Sequence, residues 1–186
     1  MPEINSGDTA WLLASAALVL FMTPGLAAFY GGMVRRKNVL DTTLQSFFAL
    51  GLIGVLWAVV GYSLAFTTIE GPLAPFIGGL SFAGLNGIGD TVHELAGTIP
   101  QSVFAMFQGM FAIITVGLIT GAVAERMKFK AYVVFALLWS LFVYSPLAHW
   151  VWQPSGWLFK LGALDFAGGT VVHISSAAAA VAAAIM

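Results

Sequence analysis

The residues in this sequence that are best suited to chemistry are a carboxylate and an imidazole at the start of its last apolar segment. The stretch DFAGGTVVH places Asp165 eight residues before His173 and continues into ISSAAAAVAAAIM. In a helix, that separation corresponds to a rise of about 12 Å and a rotation of roughly 80°. His173 would then lie deep in a bilayer, where an ionisable group is costly and is a candidate for function.

Each of the two side chains also has a purely structural interpretation. His173 could be a neutral imidazole that is hydrogen-bonded to a neighbouring helix. The Asp165 carboxylate could cap the helix by accepting from the N–H groups of Ala167 or Gly168, because a negative charge stabilises the positive end of a helix. Such a cap at a pore mouth would also shape the mouth. We expect Gly168 and Gly169 to admit the backbone of a neighbouring helix.

Aromatic side chains supply further candidates. Phe104, Phe107 and Phe111 follow one helical face, beside Gln108, a pattern that is typical of packing as well as of a site. The stretch YSPLAHWVW places Trp152 near the outer membrane interface, where an aromatic belt is the simplest interpretation. The Trp152 ring could instead attract a cation through its electron-rich face.

The other tryptophans and histidines in these regions favour structural roles. We assign Trp150 and Trp157 to the aromatic belt. His149 is expected to be a buried polar group that holds helices together, and His93, in a polar loop, is expected to be solvated. The sequence has no metal-ligand cluster, nucleophilic triad or phosphate-binding glycine loop, so it predicts neither an enzyme nor a cofactor.

The composition places these residues in a membrane. Hydrophobic residues make up 60% of the chain and charged residues only 8%. A soluble domain carries more charge, so the class is an integral membrane protein. The formal net charge of -1 argues against nucleic-acid binding, and the absence of cysteine excludes disulfides and thiolate metal sites.

Five apolar stretches have about the length that crosses a bilayer. The sequence therefore predicts an all-α integral membrane fold with five transmembrane helices. The predicted spans are Thr9–Val34, Thr42–Phe66, Ile99–Ala124, Ala131–Trp152 and Phe166–Met186. The loop between the second and third spans is rich in Gly and Pro, which favours at most a short helix there.

Charge position predicts the topology. Six of the seven basic residues lie in the two loops Arg35–Lys37 and Arg126–Lys130, on one face. By the positive-inside bias that face is cytoplasmic, so the N-terminus is expected outside. The chain ends at Met186 without a further basic residue or loop, from which we expect a fragment or half of a larger protein. The small residues of the fifth span predict an interior helix packed closely by others, and Gly117–Gly121 repeats this pattern in the third span.

Four motifs carry a resemblance to a known family. They are FMTPGLAAFYGGMVRRKNVL in the first span, AMFQGMFAIITVGLITGAVAER in the third, AHWVW in the fourth and GALDFAGGTVVHI in the fifth. Over residues 8–186 the sequence resembles the N-terminal half of ammonium transporters, in the Amt/Mep branch of the Amt/Mep/Rh family.

The resemblance implies a fold and roles for particular residues. It implies trimers of eleven-helix subunits, each built from two inverted five-helix repeats with a pore between them. Trp152 and Phe107 match an outer vestibule that recruits ammonium, and Phe111 matches a pore gate. Asp165 matches a carboxylate that orders the vestibule, and His173 matches the first of two pore histidines. The implied function is ammonium or ammonia transport for nitrogen uptake across the cell membrane.

Two alternatives and one partner stay open. The same fold could be an ammonium sensor coupled to a downstream signalling domain. The chain could also be a half-length membrane protein that assembles with a separate partner half. The basic loops Arg35–Lys37 and Arg126–Lys130 are the expected docking place for a PII-type regulator.

Overall fold

The computed structural model describes residues 3–186, and the regular structure in that range is helical. The first span is helix α1 (Ser6–Met33). The second span is α2 (Val39–Leu56), a π turn (Trp57–Gly61) and α3 (Tyr62–Phe66), and the third is α4 (Gln101–Val123). The fourth span is α5 (Phe129–Trp139), a π turn (Ser140–Tyr144) and α6 (Ser145–Trp152), followed by the short α7 (Trp157–Lys160). The fifth span is a π turn (Gly169–Ile174) and α8 (Ser175–Ile185).

The prediction of an all-α fold with five spans is confirmed, although the ends of the spans differ by up to three residues. Helix α1 begins three residues before the predicted Thr9 because the Asn5 side chain caps it, accepting from the Asp8 N–H at 3.0 Å. The fifth span begins at Gly169 instead of Phe166, because Gly168 has a left-handed backbone with φ of 83°. Four helical segments are long and apolar enough to cross a bilayer, and the fifth, Gly169–Ile185, is shorter.

Contacts at the two ends of the bundle define its faces. The Asn5 N–H donates to the Thr98 carbonyl at 3.0 Å, and the Thr98 hydroxyl donates to Asp8, so the start of α1 meets the long loop before α4. At the other end, Arg126 donates to the carbonyl of Ala184 at 3.0 Å. The start of α1 therefore lies on the opposite face from the end of α8. This arrangement agrees with five crossings.

The third span, α4, is the central helix, since it contacts α1, α2 and α8. A Cβ at Gly121 would lie 2.6 Å from the ring of Tyr30, so α1 approaches α4 closely at this point. The Tyr30 hydroxyl completes the contact by donating to the Leu118 carbonyl at 3.0 Å. The Gly117–Gly121 pair thus accommodates α1. Helix α8 packs mainly on α4, so the predicted enclosure of the fifth span is present on one side of this chain.

An aromatic cluster fixes α4 against the second and fourth spans. Trp57 makes edge contacts with Tyr62 and Tyr144, with ring centroids 5.9 and 6.1 Å apart. The Trp57 indole also donates to the Ala105 carbonyl of α4 at 3.0 Å. These contacts fix the outer half of α4 in the bundle, immediately before Phe107.

Candidate functional site

A cavity of about 580 Å³, which we call the outer cavity, opens near the outer ends of α4 and α6. Its lining joins four of the residues that the sequence singled out: Phe107, Phe111, Trp152 and Asp165. Gln108, from the same stripe, lines it as well. The structure therefore brings together side chains from the third span, the fourth span and the segment before the fifth.

Trp152 is held at this cavity by a hydrogen bond to the segment opposite. Its indole N–H donates to the backbone carbonyl of Asp165 at 3.1 Å, which ties the end of α6 to the start of the fifth span. Because the polar atom of the indole is bonded within the protein, Trp152 contributes the aromatic surface of its ring to the cavity lining.

The Asp165 carboxylate caps the fifth span, but through other partners than predicted. Its Oδ2 accepts from the N–H groups of Thr170 at 2.9 Å and Val171 at 3.0 Å. The prediction of Ala167 or Gly168 as donor was wrong, because the left-handed turn at Gly168 displaces the first free N–H groups along the chain.

The role predicted for the two glycines is not seen among residues 3–186. A Cβ at Gly168 would lie 2.8 Å from Val172 Cγ2 and 3.8 Å from the Trp152 ring, and a Cβ at Gly169 would meet only Asp165 Oδ1 at 3.7 Å. Within residues 3–186, the nearest atoms to either Cβ position belong to side chains and not to the backbone of a neighbouring helix. Gly168 is required by its positive φ, which other residues adopt only with strain.

The turn that follows places His173. Within the π turn, the N–H groups of Val172 and His173 both donate to the Gly168 carbonyl, at 2.9 and 3.1 Å. The imidazole of His173 is exposed in this chain and lines a second cavity of about 310 Å³, which we call the inner cavity. Of the described residues that line the inner cavity, His173 alone has a polar side chain.

Phe111 joins the two cavities. It lines both the outer and the inner cavity, and its ring makes an edge contact with Phe107 at a centroid distance of 5.0 Å. Phe111 and Ala167 line both cavities, so they lie between the Trp152 ring of the outer cavity and the His173 imidazole of the inner one. The spacing of the phenylalanines in the third span could not predict that Phe111 lies between the two cavities, because such a stripe is also typical of helix packing.

The other two histidines have structural contacts. His149 is fully buried, with Nδ1 3.0 Å from the Ala65 carbonyl and Nε2 2.8 Å from the Ala74 carbonyl, so it connects α6 to the end of α3 and to the loop. His93 was predicted to be solvated, which is wrong: it is 6% exposed and stacks on Phe104 at 4.1 Å. Burial lowers the pKa of His93.

Four lining residues of the outer cavity were missed: Phe66, Leu95, Phe159 and Phe166. Phe66 ends the second span and Phe159 lies in α7 just beyond the fourth, so both lie at the same end of the bundle as Trp152. The position of these two residues at the outer ends of their spans could have predicted that they lie near Trp152. The sequence does not show how the long loop folds, so it could not predict that Leu95 reaches the cavity.

At the opposite face the two basic loops are joined through an acid. Glu125 pairs with the Arg35 guanidinium at 2.8 Å and accepts from Asn38 Nδ2 at 2.8 Å. The hydrogen bond from Arg35 is the main cause that lowers the pKa of Glu125 to about 2, and the bond from Asn38 adds to it. Glu125 itself has a positive φ of 64°, so this contact is made at a sharp turn after α4.

The described residues form a helical bundle in which four helical segments are long and apolar enough to cross a bilayer, as expected of a multi-pass membrane protein. The profile of the Ammonium Transporter Family matches residues 10–186. The chain belongs to this family, as the resemblance predicted.

Individual relatives agree with this assignment. The chain is 51% identical to an ammonium transporter of Bacillus subtilis, over 98% of this chain and 44% of that protein. It is 46% identical to the ammonium transporter Amt1 of Archaeoglobus fulgidus, over 98% of this chain and 43% of the relative. The chain thus spans less than half the length of the curated relatives it matches.

Solved structures show the same fold. Saccharomyces cerevisiae Mep2 superposes with a TM-score of 0.89 at 35% identity, over 99% of this chain and 40% of Mep2. A structure described as a sensor Amt protein matches with a TM-score of 0.78 at 27% identity, over 89% of this chain and 40% of that one.

Proposed function

We propose that this chain forms the first half of the permeation path of an ammonium transporter in the cell membrane. The observation that carries the proposal is the position of Phe111, which lines both the outer cavity beside Trp152 and the inner cavity beside His173. Ammonium is recruited and stripped of water at the first cavity, and neutral ammonia continues through the second.

Recruitment is the role of the outer cavity. A hydrated ammonium ion loses water on entry, and the rings of Trp152 and Phe107 replace part of that shell. A cation–π contact contributes about 0.5–2 kcal/mol, more as the site is desolvated. Asp165 acts as a positioning residue, because its carboxylate is already bonded to two backbone N–H groups and fixes the segment that holds the Trp152 indole.

Passage is the role of the inner cavity. Its apolar lining opposes the ion far more than the neutral molecule, since a charge in a low-dielectric space is costly. Ammonium therefore releases a proton near Phe111, and ammonia passes on beside His173. The imidazole accepts a hydrogen bond from ammonia or donates one to it. Together with the second pore histidine that the family resemblance implies, it relays the proton.

A second candidate function is supported by one comparison. The match to a sensor Amt protein indicates that this fold also occurs in a sensor. In that case the same cavities would report ammonium occupancy to a signalling domain after α8. A signalling domain downstream of Met186 would favour sensing, and a short cytoplasmic tail would favour transport.

Assembly and regulation complete the proposal. We expect a homotrimer, and a PII-type regulator that docks on the loops containing Arg36, Lys37, Lys128 and Lys130. All four of these side chains are exposed, whereas Arg35 is paired with Glu125. Failure of PII to bind the full-length protein in every nucleotide state would refute the docking.

The recruitment step is tested with two tryptophans of one helix. Trp152 and Trp150 both donate an indole hydrogen bond to a backbone carbonyl, but only Trp152 lines the outer cavity. In proteoliposomes of the full-length protein, Trp152→Leu should raise the ammonium concentration that gives half-maximal current by about 2- to 30-fold, from the cation–π contribution. Trp150→Leu should leave that concentration unchanged. Equal effects of the two changes, or no ammonium-driven current in the parent protein, would refute the proposal.

A further inference from the structure

Trp57, at the start of the π turn in the second span, lies directly against α4. It is 5% exposed, and its indole N–H donates to the Ala105 carbonyl at 3.0 Å. One turn further along α4, a Cβ at Gly109 would lie 2.8 Å from Trp57 Cδ1 and 3.1 Å from Trp57 Nε1. The edge of the indole therefore touches the α4 backbone, because Gly109 has no side chain that would hold the two apart.

Ala105 and Gly109 lie on the opposite side of α4 from the outer cavity. Phe107 follows Ala105 by two residues, and Phe111 follows Gly109 by two residues, which is a rotation of about 200° in an α-helix. Phe107 lines the outer cavity, and Phe111 lines both cavities. Trp57 therefore supports α4 from behind, and its distance from the helix axis sets how far the two phenylalanine rings project into the proposed path.

The indole of Trp57 is braced on its other sides. Its ring makes edge contacts with Tyr62, Tyr144 and Phe66, with ring centroids 5.9, 6.1 and 6.2 Å apart. A Cβ at Gly61 would lie 3.0 Å from Trp57 Cε3, so the backbone of the π turn is close as well. Because protein interiors are close-packed, a change at the contact between Trp57 and α4 is transmitted to the helix instead of being absorbed by the ring.

We infer that Trp57 is a positioning residue for ammonium recruitment, although it lines neither the outer nor the inner cavity. It acts through α4, by holding the Phe107 ring at its distance from the Trp152 ring and by holding Phe111 between the two cavities. The inference rests on the proposed function for the identity of the permeating species. The position of Phe107 relative to Trp57 depends only on contacts within this chain.

Adding a methyl group at Gly109 tests the inference. In Gly109→Ala, the added carbon atom must move from 2.8 Å to an ordinary contact of about 3.5 Å, which displaces α4 toward the cavity by about 0.7 Å or more. In proteoliposomes of the full-length protein, this variant should raise the ammonium concentration that gives half-maximal current at least about twofold, the lower end of a cation–π contribution. A crystal structure of the variant should show the Phe107 ring displaced by the same distance relative to Trp152.

Gly121→Ala is the matched control. It adds the same methyl group to α4, 2.6 Å from the Tyr30 ring of α1, but near the opposite end of the helix from the outer cavity. Both variants should melt at a lower temperature than the parent, whereas only Gly109→Ala should shift the half-maximal concentration. Combining Gly109→Ala with Trp57→Phe, whose smaller ring leaves room for the methyl group, should return that concentration toward the parent value.

Three results would overturn the inference. They are a Gly109→Ala variant that melts earlier with an unchanged half-maximal concentration, an equal shift in Gly121→Ala, and a Phe107 ring that keeps its place in the crystal structure. If Gly109→Ala does not fold, Trp57→Phe alone decides, because it removes the hydrogen bond to α4, and an unchanged half-maximal concentration would refute the positioning role.

The positioning role and the proposed function can fail separately. An effect of Trp152→Leu without an effect of Gly109→Ala would refute the positioning role alone. An effect of Gly109→Ala without an effect of Trp152→Leu would refute recruitment at Trp152 alone.

Discussion

Replacing Asp165 with alanine should destabilise the outer end of the fifth span and impair transport together. One carboxylate oxygen accepts from two backbone N–H groups, at 2.9 and 3.0 Å. A hydrogen bond to a charged group contributes about 1.5–3 kcal/mol. Because Asp165 is only half-buried, we take the lower value for each of its two bonds and expect a loss of about 3 kcal/mol in the free energy of unfolding. Asp165→Asn keeps a neutral acceptor in place and should cost only about 1 kcal/mol.

The assay combines thermal unfolding of the full-length protein in detergent with ammonium current in proteoliposomes. The melting temperature should fall in the order parent, Asp165→Asn, Asp165→Ala. The current should fall in the same order, because the capped turn determines where His173 lies. Asp90→Asn, at an exposed acid of the same face, should match the parent in both measurements. An alanine variant that melts and conducts like the parent would refute the reasoning.

Three further predictions concern packing and pH. Gly121→Ala should lower the free energy of unfolding by about 1–3 kcal/mol, because its Cβ would lie 2.6 Å from an aromatic ring of α1. Gly117→Ala, whose nearest contact would be 3.5 Å away, should be tolerated. Equal melting temperatures of the two variants would contradict this. The folded-state pKa of Glu125 is lowered, so its contribution to stability is present above about pH 4.5 and is lost as the pH falls toward about 2, which Glu125→Gln should abolish. Burial lowers the pKa of His93, so the unfolded chain binds the proton more readily, and hydrogen-exchange protection of the long loop should fall as the pH drops below about 6.5. A loop whose protection is independent of pH would contradict that assignment.

Much of the fold could be predicted from the sequence because a bilayer restricts it strongly. Apolar length and the position of basic residues gave five spans and their faces. The error at Asp165 had a local cause, since a left-handed Gly168 delays the start of the fifth span and changes the hydrogen-bond donors. Two neighbouring glycines in an apolar run carry no signal that distinguishes a turn from close helix packing.

The candidate site could be predicted residue by residue only through the family resemblance. The helical period placed Phe107 and Phe111 on one face of the third span. That Trp152 and Asp165 line the same cavity depends on how the third, fourth and fifth spans contact one another, which the period does not predict. His93 was misassigned for a related reason. The loop that contains it folds back on α4, and a polar loop composition does not reveal that burial.

The central claim is that the His173 imidazole meets the permeating nitrogen. The most direct test is the current of the full-length protein on a solid-supported membrane after an ammonium concentration jump, with Ile174→Ala as a control at the adjacent exposed residue. The account predicts that His173→Ala lowers the current or removes its selectivity for ammonium over potassium, while the control conducts normally. A His173→Ala variant with unchanged current and unchanged selectivity would contradict it.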